Sequence, residues 1–161
     1  MSFQDLSLLI VDDEIDILEI YEDLFGENVG TLIKASDGED ALEKFKNHNI
    51  SVVVSDISMP KMNGIELLEK IRGLDKAVPF IIVTGYGDKQ NAVKALRLGA
   101  FDFIDKPFDF EKIKKTVNAA LESAQQIKLL NLHLGKVITA MQQEKNVVSR
   151  QNEILAKFSK K

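Results

Sequence analysis

In the stretch Leu8-Leu9-Ile10-Val11-Asp12-Asp13-Glu14, an apolar run passes straight into consecutive acids. Such a run is what a parallel strand buried on both faces requires. Acids at its carboxyl end mark the edge where open α/β sheets collect their chemistry. The same arrangement returns in Ser51-Val52-Val53-Val54-Ser55-Asp56 and in Phe80-Ile81-Ile82-Val83-Thr84, and two further strand candidates lie at residues 31–35 and 101–105. Amphipathic stretches separate the strands. Ile17, Ile20, Tyr21 and Leu24 share one helical face, Ala41, Leu42 and Phe45 a second, Ile65, Leu68 and Ile71 a third, and Ala92, Val93 and Leu96 a fourth. Ser36-Asp37-Gly38, Asn63-Gly64 and Leu98-Gly99 mark helix starts and stops. Five strand-then-helix units in about 120 residues predict an open, doubly wound parallel sheet, since a barrel needs eight.

Bulk composition bounds the rest. At 161 residues, 45% hydrophobic and 29% charged, the chain suits one soluble domain plus an extension. Its net charge of -4 argues against a general nucleic-acid surface, so no direct nucleic-acid partner is expected. It has no cysteine, which excludes disulfides, thiolate metal sites and a cysteine nucleophile. No apolar run reaches the roughly 18–20 residues that span a bilayer, and no signal-peptide pattern is present. A cytoplasmic location without membrane contact is the expectation.

Beyond Pro107 the pattern changes. Ile113, Ala120, Ile127, Leu134, Met141, Val148 and Leu155 recur every seven residues, and Val117, Ala124, Asn131, Ile138, Lys145 and Asn152 follow four behind. Alternating spacings of three and four over about six heptads predict a long helix in a coiled coil. A rod of about fifty residues, roughly 75 Å long, needs a partner helix over its seam. Asn131, Lys145 and Asn152 favour a defined register and two strands, hence a homodimer. The predicted organisation is a domain over residues 1–123 and a helical extension over 124–161.

Asp12 and Asp13 follow the first strand and Asp56 the third, and these strands are neighbours at the switch point of such a sheet. Carboxylates brought together there repel: at an effective dielectric near 20, a like pair about 4 Å apart costs roughly 4 kcal/mol. A hard divalent cation with oxygen ligands, Mg2+ in particular, relieves that repulsion. Capping a helix would account for Asp12 or Asp13 alone. It does not account for Asp56, which precedes Ile57-Ser58-Met59-Pro60. Thr84 and Lys106 end the fourth and fifth strands on the same edge, offering a hydroxyl and an ammonium to phosphoryl oxygens. A carboxylate can itself be the nucleophile.

Over roughly residues 6–123 the sequence resembles the receiver domains of two-component response regulators (the CheY-like superfamily). The resemblance rests on Leu9-Ile10-Val11-Asp12-Asp13-Glu14, Ser55-Asp56-Ile57-Ser58-Met59-Pro60, Asn63-Gly64, Val83-Thr84-Gly85 and Asp105-Lys106-Pro107-Phe108. It implies a flavodoxin-like sheet of order 2-1-3-4-5. It also implies that Asp56 is the phosphoacceptor of a sensor histidine kinase or phosphotransfer protein, in a reaction dependent on Mg2+. Asp13, Asp56 and the Ser58 carbonyl would bind the metal, with Asp12 acting through water, and Thr84 and Lys106 would hold phosphoryl oxygens. Phe103 matches a switch aromatic that turns inward as Thr84 moves, although its alternation with Phe101 also fits a plain core position. Ser58 and Tyr86 flank the path of a hydrolytic water and are expected to tune phosphoryl lifetime. The resemblance further implies a Lys106-Pro107 bond that is often cis.

The expected role is therefore a phosphorylation-gated switch, not an enzyme in its own right. It would signal through the fourth helix, fifth strand and fifth helix to a dimeric coiled coil and an effector domain beyond Lys161. Two other readings compete. A phosphatase using Asp56 would want an acid two residues on, where Ser58 stands. A nucleotide- or flavin-binding domain would want a glycine-rich loop in place of Asp12-Asp13-Glu14.

Overall fold

The computed structural model describes residues 2–85, 89–107 and 109–158. It contains a parallel sheet of five strands in the order β2-β1-β3-β4-β5. The strands are β1 (Phe3–Val11), β2 (Val29–Ala35), β3 (Val52–Asp56), β4 (Phe80–Thr84) and β5 (Asp102–Asp105). Helices α1 (Ile15–Phe25), α2 (Gly38–Asn47), α3 (Gly64–Leu74), α4 (Lys89–Arg97) and α5 (Phe110–Phe158) follow them in alternation. The doubly wound, flavodoxin-like fold and its strand order are as the sequence and its resemblance imply.

Alternation along each strand builds a core on both faces of the sheet. Leu8, Ile10, Val52, Val54, Ile81 and Val83 point toward α1 and α5, meeting Leu18, Tyr21, Phe25, Ile113 and Val117. Their neighbours Leu9, Val11, Val53, Phe80 and Ile82 meet Ala41, Leu67, Leu68, Ile71 and Ala95 on the other face. The runs Leu8–Val11, Val52–Val54 and Phe80–Val83 are apolar because each is buried along its whole length.

Three details differ from the sequence reading. Strand β1 starts at Phe3, well before Leu8, because Phe3 and Leu6 are both buried. Intervening Gln4, Asp5 and Ser7 and an irregular register against β2 between Phe3 and Ser7 hide it from a pattern search. On α4 the buried residues are Ala92 and Ala95, whereas Val93 and Leu96 are 49% and 45% exposed. Small residues let that helix lie close to its neighbours, so bulk was a poor guide to its inner face. On α1, Leu18 and Phe25 join Tyr21 inside while Ile17, Ile20 and Leu24 are only partly covered.

The chain divides into two compact units, Met1–Gln125 and Gln126–Lys161. In the first, Ile113, Val117, Ala120, Leu121 and Ala124 of α5 are packed into the core beside β1, β3 and β4. The early members of the seven-residue repeat are thus already covered within their own domain. A seam for a partner helix begins no earlier than Ile127. In the second unit, Leu134, Ile138, Met141, Val148 and Leu155 are all about half exposed or more. The Thr139 hydroxyl donates to the Gly135 carbonyl at 2.9 Å, satisfying the helix backbone beside its one glycine. No helix among the described residues is long and apolar enough to cross a membrane.

Candidate functional site

Strand registry alone lines up the chemistry. Val11 is level with Ser55, Asp56 with Val83, and Thr84 with Asp105. The residues just at or past these ends, Asp12, Asp56, Thr84 and Lys106, therefore form one row across the carboxyl edge of the sheet. Backbone bonds hold the row: Asp12 N–H donates to Ala35 O at 3.1 Å, Ile57 N–H to Val83 O at 3.0 Å, and Lys106 N–H to Thr84 O at 2.7 Å. The Lys106-Pro107 bond is cis.

Carboxylate oxygens of Asp12, Asp13 and Asp56 all lie within 4.8 Å of one another. Asp12 and Asp56 are buried and Asp13 is exposed, so the cluster opens to solvent on one side. Lys106 Nζ sits 3.4 Å from Asp56 Oδ1, 3.6 Å from Asp12 Oδ2 and 3.7 Å from Glu14 Oε1. Burial raises the pKa of Asp56 to about 6 against the pull of Lys106, and the nearby charge of Asp12 adds to the rise. Burial likewise raises Asp12, although the Glu14 backbone amide and Lys106 oppose it. Burial alone would lower Lys106, but the Asp12 and Asp56 carboxylates outweigh it and hold the ammonium charged. One lysine faces several acids, so net negative charge remains, as a site for a hard cation needs. All-oxygen donors grouped this closely fit a divalent ion such as Mg2+.

The acids are not consumed by capping α1. Its N-cap residue is Glu14, whose side chain makes no cap bond, while Asp12 Oδ1 accepts the Glu14 N–H at 2.9 Å. Thr84 is buried, with its hydroxyl donating to the Gly85 carbonyl at 3.2 Å. Phe103 is half-buried against the core on the α2–α3–α4 side, with Lys112 Nζ 5.8 Å from its ring centroid. Ser58 is exposed and lines a groove of about 280 Å³ with Ile57, Asn63, Ile65, Glu66, Asn91 and Lys94. Tyr86 lies outside the described residues, as does Phe108 of the Lys106-Pro107-Phe108 motif.

Sequence reading missed the clamp on the segment that follows Asp56. Lys61 has a φ of 63°, uncommon for a residue with a side chain. Its Nζ lies 2.6 Å from Oδ2 of Asp37, whose other oxygen accepts the Asp40 N–H at 2.9 Å to cap α2. Beside it, a Cβ on Gly38 would come within 2.5 Å of the Met62 carbonyl, so the segment lies directly on the start of α2. The α2 cap and the Lys61 pair together hold the Asp37 carboxyl below its ordinary range. Asp37-Gly38 announced a helix start; nothing local to it announced Lys61, which is 24 residues away. Lys61→Ala removes the ion pair while keeping the unfavourable φ, so its urea midpoint is expected to fall. Lys61→Gly removes the pair and relaxes the backbone together, and its midpoint should stay at or near that of the parent. Equal losses in both variants would mean the φ at Lys61 carries no cost.

Comparison with known proteins agrees with this geometry. The response regulator receiver domain family matches residues 8–118. The transcriptional regulatory protein ZraR of Escherichia coli (strain K12) is 35% identical over 130 residues, covering 79% of this chain and 29% of that protein. The chain thus spans under a third of the length of this curated relative. Among solved structures, a response regulator receiver domain protein from Clostridium thermocellum superposes with a TM-score of 0.69 at 32% identity, covering 78% of this chain and 98% of that one. NtrX from Brucella abortus, crystallised with ADP, gives 0.71 at 29% identity over 81% of this chain and 30% of its own.

Proposed function

The chain belongs to the response regulator receiver domain family, regulatory domains of two-component systems, and from that premise we propose that Asp56 is its phosphoacceptor. One observation carries the reading: the Asp12, Asp13 and Asp56 carboxylates converge within 4.8 Å, and a lysine ammonium stands 3.4 Å from the central acid.

In the proposed reaction an Asp56 oxygen attacks the phosphorus of a phosphohistidine on a sensor kinase or phosphotransfer protein. The P–O bond forms as the P–N bond breaks, and the imidazole nitrogen leaves with the bonding pair and takes up a proton. Lys106 balances negative charge on the transferring oxygens, and its ion pairs with Asp56 and Asp12 keep the ammonium in place before the reaction. Asp13, Asp56 and the Ser58 carbonyl, with Asp12 acting through water, would hold a divalent cation such as Mg2+, which when bound would neutralise charge on the acids and on the phosphoryl group. Thr84, one strand over, turns its hydroxyl from the Gly85 carbonyl to a phosphoryl oxygen. Its movement frees space that Phe103 fills from its half-buried position, and the surface of α4, β5 and α5 changes with it. Exposed Ser58 leaves water a route to the acyl phosphate, which sets a limited lifetime; Tyr86 is proposed to screen the other side. The output passes along α5 to a homodimeric coiled coil and an effector.

The diagnostic experiment is incubation of the full chain with acetyl phosphate and Mg2+. One phosphoryl group should be gained, located at Asp56, and removed by hydroxylamine, as an acyl phosphate is. Spin labels along residues 127–155 should also change their inter-chain distances when a beryllium fluoride analogue occupies the site. Uptake with no change in those distances would leave the phosphoacceptor standing and discard the helical relay.

A further inference from the structure

Past Asp56 the chain leaves the sheet at Ile57 and comes back to the same place at Gly64. Ile57 N–H donates to Val83 O at 3.0 Å, and Ile57 O accepts Met59 N–H at 3.2 Å and Gly64 N–H at 3.0 Å. Ile57 and Gly64 are thus the two feet of a closed loop. Between them Ser58, Pro60 and Lys61 are exposed, and Met59 is only partly covered by the core. Met62 is buried over the start of α2, where a Cβ on Gly38 would come within 2.8 Å of the Met62 Cβ. Beside it, Lys61 Nζ reaches Asp37 Oδ2 at 2.6 Å, from a side chain 60% exposed to one only 7% exposed. The cap bond from Asp40 N–H fixes Asp37 in turn. The pair therefore ties an exposed loop to a rigid, buried anchor.

We infer that Lys61 and Asp37 are positioning residues for cation binding, holding the loop so that the Ser58 carbonyl stays beside the Asp12, Asp13 and Asp56 carboxylates. This rests on the cation site proposed above and adds two residues outside its donor set.

A carboxylate ligand can turn about its side-chain torsions to meet a cation. A backbone carbonyl has no such freedom, and Ser58 O moves only with the main chain. Its place is set by whatever fixes the loop, and apolar packing fixes little between Ile57 and Met62. Mg2+ demands near-octahedral geometry, so displacing one ligand is costly. Partners that orient metal ligands without touching the metal commonly contribute about tenfold or more in affinity. The backbone at Lys61 supports the same reading. Its φ of 63° is unfavourable for a residue with a side chain. Such conformations persist where surrounding contacts over-determine them. In stability that strain offsets the pair, which is why Lys61→Gly is expected to keep its urea midpoint. Loop position is the property left for the pair to govern.

Charge and position pull in opposite directions at Lys61, and Lys61→Met separates them. Removing a positive charge near an acidic cluster would by electrostatics alone tighten Mg2+ binding. Losing the tie would weaken it. MgCl2 is titrated into the full chain without phosphodonor, and the Kd is read from amide chemical shifts at Asp13 and Ser58. Lys61→Met should raise the Kd about threefold to tenfold. Asp37→Asn, whose amide oxygen can still cap α2, should raise it as well. Lys61→Arg keeps the pair and should stay close to the parent. Lys61→Gly should bind Mg2+ more weakly while its urea midpoint remains near the parent's, a split that a purely structural role would not produce. A Kd for Lys61→Met equal to or below the parent's overturns the inference, whatever Asp37→Asn does. Phosphoryl uptake from acetyl phosphate gives a second readout. In Lys61→Met it should be slow at limiting Mg2+ and approach the parent's rate at saturation, and a deficit that persists at saturation also overturns the inference. A parent chain without Mg2+-dependent shifts would remove the cation site itself. A parent that binds, with a Lys61→Met variant that binds equally well, removes the positioning role alone.

Discussion

Asp56→Asn is expected to abolish phosphoryl uptake from acetyl phosphate, with no hydroxylamine-labile product detectable at times when the parent is fully labelled. The amide keeps the shape of the side chain and removes the nucleophilic charge, so a residual signal would have to come from another acid. Labelling moved to Asp12 or Asp13 would show that the pocket supplies chemistry beyond one residue, while undiminished labelling elsewhere would end the assignment. The same variant carries a stability signature in chelator. Asp56 is raised from its ordinary 3.8 to about 6, chiefly by burial, so the folded state holds its proton more tightly than the unfolded state does. Stability contributed by that proton is full below the unfolded value and is lost as pH rises through about 6. At pH 7.5 the parent therefore carries an unfavourable buried charge that the asparagine variant lacks. The variant should be the more stable by on the order of 1 kcal/mol after allowance for solvent screening. The difference should close near pH 4, where the parent aspartate is protonated when folded. Urea titrations at the two pH values measure it, and an equal gap at both would assign the effect to something other than Asp56 ionisation.

Gly64→Ala should produce a large loss of stability for a single added methyl. A Cβ there would stand 2.2 Å from the Asp56 carbonyl oxygen and 3.0 Å from both Asp56 C and Ile57 Cα. All of these are backbone atoms of β3 and the segment after it, so no side-chain rotation relieves the clash. The position is held from the other side by Gly64 N–H donating to Ile57 O at 3.0 Å. The reciprocal Asn63–Glu66 cap of α3 holds it again. Overpacking at a site fixed on both sides costs about 3 kcal/mol. If α3 yields instead, Asp56 moves with the strain, so phosphoryl uptake should fall even where the fold survives. Gly73→Ala is the control: it lies in the same helix, with nothing within 4 Å of an added Cβ. There the substitution should stabilise by roughly 0.5–1 kcal/mol, since alanine is the better helix former. A Gly64→Ala variant that matched this control in stability and labelling would contradict the close approach of α3 to Asp56.

The amino-acid sequence alone determined the alternation of strands and helices. The Leu8–Val11, Val52–Val54 and Phe80–Val83 runs can be satisfied only by burial on both faces, and that requirement makes a parallel sheet covered by helices. It also determined which residue types end those strands, because Asp12 and Thr84 stand directly after an apolar run, Asp56 one residue beyond another, and Lys106 after the alternating Phe101–Asp105 segment. Tertiary structure decided the contacts made across long separations. The Lys61–Asp37 pair and the fit of Gly64 beneath Asp56 join residues whose local patterns carry no trace of each other. The inner face of α4 belongs to Ala92 and Ala95 because close approach favoured small residues over Val93 and Leu96. The seven-residue repeat of α5 is one uniform pattern in the sequence, yet Ile113–Ala124 serves the domain core and only the stretch from Ile127 onward leaves aliphatic side chains exposed. Periodicity states that one face of a helix must be covered; what covers it depends on the neighbours that folding brings, and those are set by the whole chain.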